Sequence, residues 1–357
     1  MRRIRAWSLV VVLGAVNAGC AYNRAIPEEP LAVAGGPGAS LTERWLLRAG
    51  RGMSLPVVIH EGSLYGVGID RRVVAVDLAT GKSRWAFRLD GPALSGVLMH
   101  YDTLISGSER PGGEVVALLP ATGRRGWKRR VGWVGAPLAL IGDVVVAQTR
   151  TKGTWGLEAS TGDIKWRLPL GGGRASALPG GSGTAIFATL DSLYRVEIAT
   201  GVVRARVAAP GSLVADWIPS ARGIVAGTGE GELLLLDPGT LAPTWRRQLG
   251  APLLVSPFVL GDTAWAVTQT NTVWRTDLAT GETVLVLHHP TPITAPVSTW
   301  DGALLVGDTK GILTAYEPNG EVRWRLAVGK PLEMAPIAYQ GDLLVFGGRG
   351  DLHRFER

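Results

Sequence analysis

The chain has 357 residues, of which 46% are hydrophobic and 19% charged, with a formal net charge of +7. So much Val, Leu and Ala with so little charge excludes a disordered chain, and 49 glycines with 22 prolines exclude long helical bundles. A single cysteine excludes an internal disulfide and a cysteine-based zinc or iron–sulfur site.

The first element is an address. Arg2, Arg3 and Arg5 precede an apolar run from Ala6 to Val16, too short to span a bilayer well, and Asn17-Ala18-Gly19-Cys20 follows. This resembles the lipobox of bacterial lipoproteins, with Asn17 where an aliphatic residue is usual. The resemblance implies a signal peptide over residues 1–19 and a lipidated Cys20 as first mature residue; the alternative is a free cysteine beside an ordinary cleavage site. Acyl chains at ~0.8 kcal/mol per buried CH₂ would hold such a protein to a membrane. Loss of residues 1–19 removes three positive charges, taking the formal charge from +7 to +4, so the basic balance gives little support to a nucleic-acid partner. Residues 20–40, with Pro27, Pro30 and Gly35-Gly36-Pro37-Gly38, read as a tether.

From residue 41 onward the chain repeats itself. Thr-Gly pairs stand at Thr80, Thr122, Thr161, Thr200 and Thr280, with the variants Thr240-Leu241 and Asn319-Gly320, at intervals of 39 to 42 residues. Four residues after each glycine position come Trp85, Trp127, Trp166, Ala205, Trp245, Leu285 and Trp324, and Trp45 heads one more copy. An acid precedes most turns: Asp77, Glu158, Glu197, Asp237, Asp277 and Glu317. Each unit reads as four short strands; in the first these lie near Val57–Ile59, Leu64–Val67, Val73–Val76 and Arg84–Leu89. Turns after the first strand are expected at Glu61-Gly62, Gly142-Asp143, Gly261-Asp262, Asp301-Gly302 and Gly341-Asp342, and prolines recur near that strand's start.

Four strands per forty residues is the pattern of a β-propeller blade. The last unit contains Leu343–Phe346 and Leu352–Phe355 but no Trp strand, and the Trp45 strand at Thr42–Arg48 supplies it. The expectation is an all-β, eight-bladed propeller over residues 41–357, four antiparallel strands per blade, closed by pairing of N- and C-terminal strands.

Ala75–Trp85 matches the Ala-x-Asp-x-x-x-Gly-x-x-x-Trp repeat of the quinoprotein-like (PQQ-like) propellers, and the resemblance runs through nearly the whole mature chain. It implies that Trp45, Trp85, Trp127, Trp166, Trp245 and Trp324 dock one blade on the next. It leaves three functions open. Quinone-dependent dehydrogenases of this kind need a calcium or lanthanide site beside a catalytic Asp and often an adjacent-cysteine disulfide; this chain has one cysteine and no singular carboxylate cluster. A lipobox, a tether and an eight-bladed ring together resemble the BamB-like lipoproteins of outer-membrane β-barrel assembly. That resemblance implies a non-enzymatic, monomeric scaffold without cofactor, lipid-anchored at the outer membrane, facing the periplasm and binding a BamA-like protein. The third reading is another periplasmic protein- or ligand-binding propeller.

The loops joining blades share a face with those between second and third strands, and partner-binding groups are expected there. Trp133, outside the docking register, is one candidate. The family's Leu- and Arg-bearing contact loop has its nearest counterpart in Leu168-Pro169-Leu170 and Arg174, so Leu170 and Arg174 are the others. His288-His289 reads as a solvated loop pair, and Lys152, Arg110, Lys310, Glu109 and Asp308 as a mixed surface. No catalytic or metal-ligating residue is assigned.

Overall fold

The computed structural model describes residues 40–48, 53–93 and 95–357. The expected signal peptide, Cys20 and nearly all of the tether lie outside the described residues. The fold is an eight-bladed, all-β propeller of four-stranded antiparallel blades. Blade 1 is Met53–His60, Ser63–Gly68, Arg72–Asp77 and Ser83–Arg88, paired in that order. Blades 2 to 7 repeat this meander, ending on Arg125–Arg130, Ile164–Leu168, Val203–Ala208, Pro243–Gln248, Thr283–His288 and Val322–Ala327. In blade 8 the sheet order is Thr42–Arg48, Asp351–Glu356, Asp342–Gly347, Ile337–Tyr339, so the Trp45 strand completes the last blade as expected.

The chain divides into two compact units. One holds blades 1 to 3 with residues 198–202; the other holds the remainder of blade 4 and blades 5 to 8. In both, second and third strands are mostly apolar and buried, as in Val144–Gln148 and Glu232–Leu236, because both of their faces are covered. Fourth strands such as Ser83–Arg88 alternate exposed and half-buried positions. Pro56 falls where the pairing of blade 1's first two strands is irregular, between Ser54 and Val58, which explains how a strand accepts it. The turn in blade 8 sits one residue earlier than expected, on Gln340 and Gly341, both at positive φ.

The Thr-Gly turn is a one-turn coil. Gly81 N bonds back to the Asp77 carbonyl, Gly123 to Leu119, Gly162 to Glu158 and Gly281 to Asp277, each at 2.8 Å. These glycines have φ of +68 to +74, a left-handed conformation that favours glycine. A second constraint comes from the preceding blade. A Cβ on Gly123 would lie 2.5 Å from the Trp85 ring, one on Gly162 2.4 Å from Trp127, and one on Gly201 2.7 Å from Trp166. The indole N–H of each Trp then donates into that same turn: Trp85 to the Pro120 carbonyl (2.7 Å), Trp127 to Ala159 (3.1 Å), Trp166 to Ile198 (2.6 Å) and Trp245 to Leu278 (3.1 Å). Tryptophan and glycine, some 36 residues apart, are thus two halves of one contact.

The acids before the turn divide by length. Asp77, Asp237 and Asp277 accept from turn amides and from the Thr hydroxyl two or three residues on. Asp77 also takes Arg84, whose hydrogen bonds hold its carboxyl at about 2. Glu158, Glu197 and Glu317, one methylene longer, reach instead to Lys165, Arg204 and Arg323 on the fourth strand. The expectation of turn-amide acceptors holds at Asp77, Asp237 and Asp277.

Two blades carry Ala205 and Leu285 at the Trp position. Opposite Ala205 stands Arg195. The next turn carries Leu241 where glycine is usual; it takes φ of +63 and is buried in a cluster with Leu193, Trp217 and Leu236. Leu285 is 46% exposed, and Trp274, its partner on the third strand, packs toward the preceding blade with Trp245 and Leu278. We expect Ala205→Trp alone to cost about 1–3 kcal/mol through overpacking. Combined with Arg195→Ala and Leu241→Gly, the same substitution should recover most of that loss. Urea unfolding of the single and triple variants measures both; a triple variant no better than the single would show that the slot is not the one the other blades use.

Candidate functional site

On each blade the loop to the next blade meets the loop between second and third strands. Val134 bridges to Thr149 in the first unit, and Ile293 to Asp308 and Leu332 to Gly347 in the second. Of the expected partner residues, Trp133 and Leu170 lie on such loops of the first unit and Arg174 on one of the second.

In the first unit, loop 149–153 of blade 3 is the hub. Trp133 is half-buried against it: the Arg150 guanidinium lies 4.7 Å from the Trp133 ring centre, and Arg150 N donates to the Trp133 carbonyl at 2.9 Å. Arg150 also faces Glu109 at 3.9 Å, and burial pushes the Glu109 carboxyl above its ordinary value. Leu170 approaches the same hub from the other side. Its carbonyl accepts from the Thr154 hydroxyl at 2.5 Å, and Gly172 N donates to Thr149 at 3.1 Å. The intervening glycine is required, since a Cβ on Gly171 would stand 2.6 Å from the Thr149 oxygen. The Leu170 side chain is half-buried.

Beside this hub lies a cleft of about 410 Å³ lined by Arg130, Gly132, Thr151, Lys152, Trp155 and Arg167 among others. Arg167 lies over the Trp155 ring at 4.6 Å and gives two hydrogen bonds to the Lys152 carbonyl (3.1 and 2.9 Å). The sequence reading placed Lys152 on a mixed surface and passed over the rest. The signal lay in two Trp, at 133 and 155, outside the docking register.

In the second unit Arg174 is exposed, and Leu190, which sequence reasoning did not single out, is 75% exposed in the loop between second and third strands of blade 4. Deeper in this unit the blade-linking loops join at forty-residue spacing. Asp216 accepts from Ser176 N (2.8 Å), the Ser176 hydroxyl (2.9 Å) and Trp217 N (3.1 Å), and its own amide donates to the Ser256 hydroxyl at 3.2 Å. Trp217 returns a bond to the Ser176 carbonyl at 2.7 Å. Burial without a cation partner raises the Asp216 carboxyl to about 6.

His289 and Asp308 are not surface residues. Each side chain is only 2% exposed. His289 Nδ1 lies 2.7 Å from the Tyr316 hydroxyl and Nε2 3.4 Å from Asp308, which also accepts from Thr291 and from the amides of Lys310 and Ile312. Those donors hold the Asp308 carboxyl below its ordinary value against the opposing effect of burial. Only His288 is exposed, at 3.0 Å from the Thr272 hydroxyl. The expectation of a solvated pair failed at His289 because its neighbours, 19 and 27 residues away, carry the acceptor and donor that make burial affordable.

Among the described residues no three His, Cys, Asp or Glu side chains gather as a metal site would need.

A family model described as outer membrane protein assembly factor BamB matches residues 69–218 and 191–350. The chain belongs to this BamB-like family of PQQ-repeat propellers. Among solved structures it is similar to BamB from Moraxella catarrhalis, at TM-score 0.73 and 18% identity, covering 89% of this chain and 98% of that one. A computationally designed protein, Ika8, matches at 0.69 and 13% identity, over 87% of this chain and 98% of its own. Quinohemoprotein alcohol dehydrogenase from Comamonas testosteroni matches at 0.69 and 14% identity, over 88% of this chain and 76% of its own. At these identities the structures show a shared fold. Among curated proteins none matches the sequence.

Proposed function

We propose that this BamB-like propeller is a non-catalytic scaffold of outer-membrane β-barrel assembly, anchored through Cys20 to the outer membrane and facing the periplasm. The family match over most of the propeller carries the reading. Two features support it. The recurring acids are engaged in turns and strand pairs, as at Asp77 and Glu317, so they serve architecture. The loops of the first unit bear Trp133 and Leu170 and those of the second Arg174 and Leu190, the aromatic, aliphatic and Arg chemistry of an interface. Its partner in this reading is BamA. Co-purification from gently solubilised envelopes tests it: recovery of BamA supports the assignment, and recovery of a different protein without BamA overturns it.

Within that reading, Leu170→Glu with Arg174→Glu is expected to weaken BamA capture by roughly tenfold or more while the thermal melt stays unchanged. Undiminished capture would remove the pair from the interface. Cys20→Ala should move the protein from the membrane to the soluble periplasmic fraction.

The likeness to quinohemoprotein alcohol dehydrogenase favours a second reading, a quinone-dependent dehydrogenase. Dye-linked alcohol or sugar oxidation after addition of PQQ and Ca²⁺ would establish it; the scaffold reading expects none.

A further inference from the structure

The cations of the fourth strands are mostly neutralised within the fold. Arg84 pairs with Asp77, Lys128 with Glu114, Arg129 with Asp163, Lys165 with Glu158, Arg204 with Glu197 and Arg246 with Glu232. The cleft of the first unit is different. Among the described residues no carboxylate lies within 4 Å of Arg130, Lys152 or Arg167. The one acid on the strand opposite Arg130, Glu114, is taken by Lys128 at 3.3 Å. Three uncompensated cations thus line one cleft of about 410 Å³, a size suited to a ligand group.

The cleft is also pre-arranged. Arg167 is held by two bonds to the Lys152 carbonyl and by the Trp155 face, so little of its side-chain freedom remains to be lost on binding. Gly132, at φ of +106, leaves room for the Lys152 stem, which a Cβ would meet at 2.9 Å. Trp155 lines the cleft with its ring, its indole N–H being buried within the protein like that of Trp133. The Trp133–Arg150 stack continues the surface from the cleft, since Arg150 and Lys152 stand two residues apart on one loop.

We propose that this cleft binds the carboxylates of an acidic, extended protein segment, with Arg130, Lys152 and Arg167 taking the carboxylates and Trp133 packing against the segment's next residues. A polypeptide is favoured over a free anion because the aromatic–cation surface extends past the cleft itself. The inference does not depend on which protein supplies the segment, and it stands or falls separately from the BamA reading.

The test uses the mature chain and a fluorescein-labelled oligoglutamate peptide read by fluorescence anisotropy, with inorganic phosphate and pyrophosphate as competitors. Lys152→Gln with Arg167→Gln should weaken peptide binding by about tenfold or more, and Trp133→Ala by a few-fold. The control pair Arg124→Gln with Arg125→Gln removes the same charge elsewhere on blade 2 and should change it by less than about twofold. Arg130→Gln, at an exposed side chain, supplies an independent variant if the double one melts early. Equal losses from the control pair would overturn the proposal in favour of diffuse attraction. So would silence of Trp133→Ala together with displacement of the peptide by phosphate at equal charge, which would mark a site for free anions.

Discussion

Replacing Trp166 with alanine is expected to cost about 3–5 kcal/mol, the range for emptying a buried tryptophan site. Trp166 is 6% exposed and touches glycine on both sides: a Cβ on Gly156 would lie 2.1 Å from its ring, and one on Gly201 2.7 Å away. Neither glycine can grow a side chain into the hole. The Ile198 carbonyl, now 2.6 Å from the indole nitrogen, would also lose its donor. Trp166→Phe should cost less, because it keeps most of the volume and forfeits the hydrogen bond. Ala205 is no precedent for tolerance, since Arg195 and Leu241 occupy that blade's slot. Chemical unfolding of both variants checks the order, and a Trp166→Ala loss under about 1 kcal/mol would refute the two-sided contact.

Asp216→Asn should stabilise the protein above pH 7. The folded carboxyl is raised to about 6 from an ordinary 3.8. Below pH 4 both folded and unfolded chains hold the proton and burial carries no ionic penalty. Between pH 4 and 6 the unfolded chain ionises first, so stability falls as pH rises, and the loss levels off above the folded value. A shift of this size corresponds to about 3 kcal/mol at 1.36 kcal/mol per unit. Asparagine keeps an oxygen for Ser176 N and Trp217 N, and offers an amide donor to the Ser176 hydroxyl. The expected result is a melting temperature several degrees higher at pH 8 and nearly unchanged at pH 4. An equal change at both pH values would show that the carboxyl is not the cause.

The repeat made the blades legible, because Thr-Gly and Trp mark the same two positions every forty residues and the Trp45 strand had only one vacancy to fill. It also contained the compensations, although they were not seen. Ala205 departs in one repeat and Leu241 in the next, and only the rule that a tryptophan meets the following repeat's glycine joins the two. Asp and Glu at the acid position look equivalent in sequence, yet Asp77, Asp237 and Asp277 bond their own turns while Glu158, Glu197 and Glu317 pair with fourth-strand cations. His289, Asp308 and Asp216 were illegible for a different reason: their burial is decided by partners on other strands and loops, at separations no local pattern displays. The cationic cleft was missed because Arg130, Lys152 and Arg167 come from three segments, and neutralisation is a property of pairs in space.

In the proposed function, the blade-linking loops of this propeller hold an outer-membrane assembly partner. The most direct measurement is photo-crosslinking in the native envelope from a reactive residue placed at position 170, followed by identification of the adduct. The account predicts a dominant crosslink to BamA that is lost when Cys20→Ala releases the protein from the membrane. Crosslinks to an unrelated envelope protein, with BamA unmodified, would contradict it.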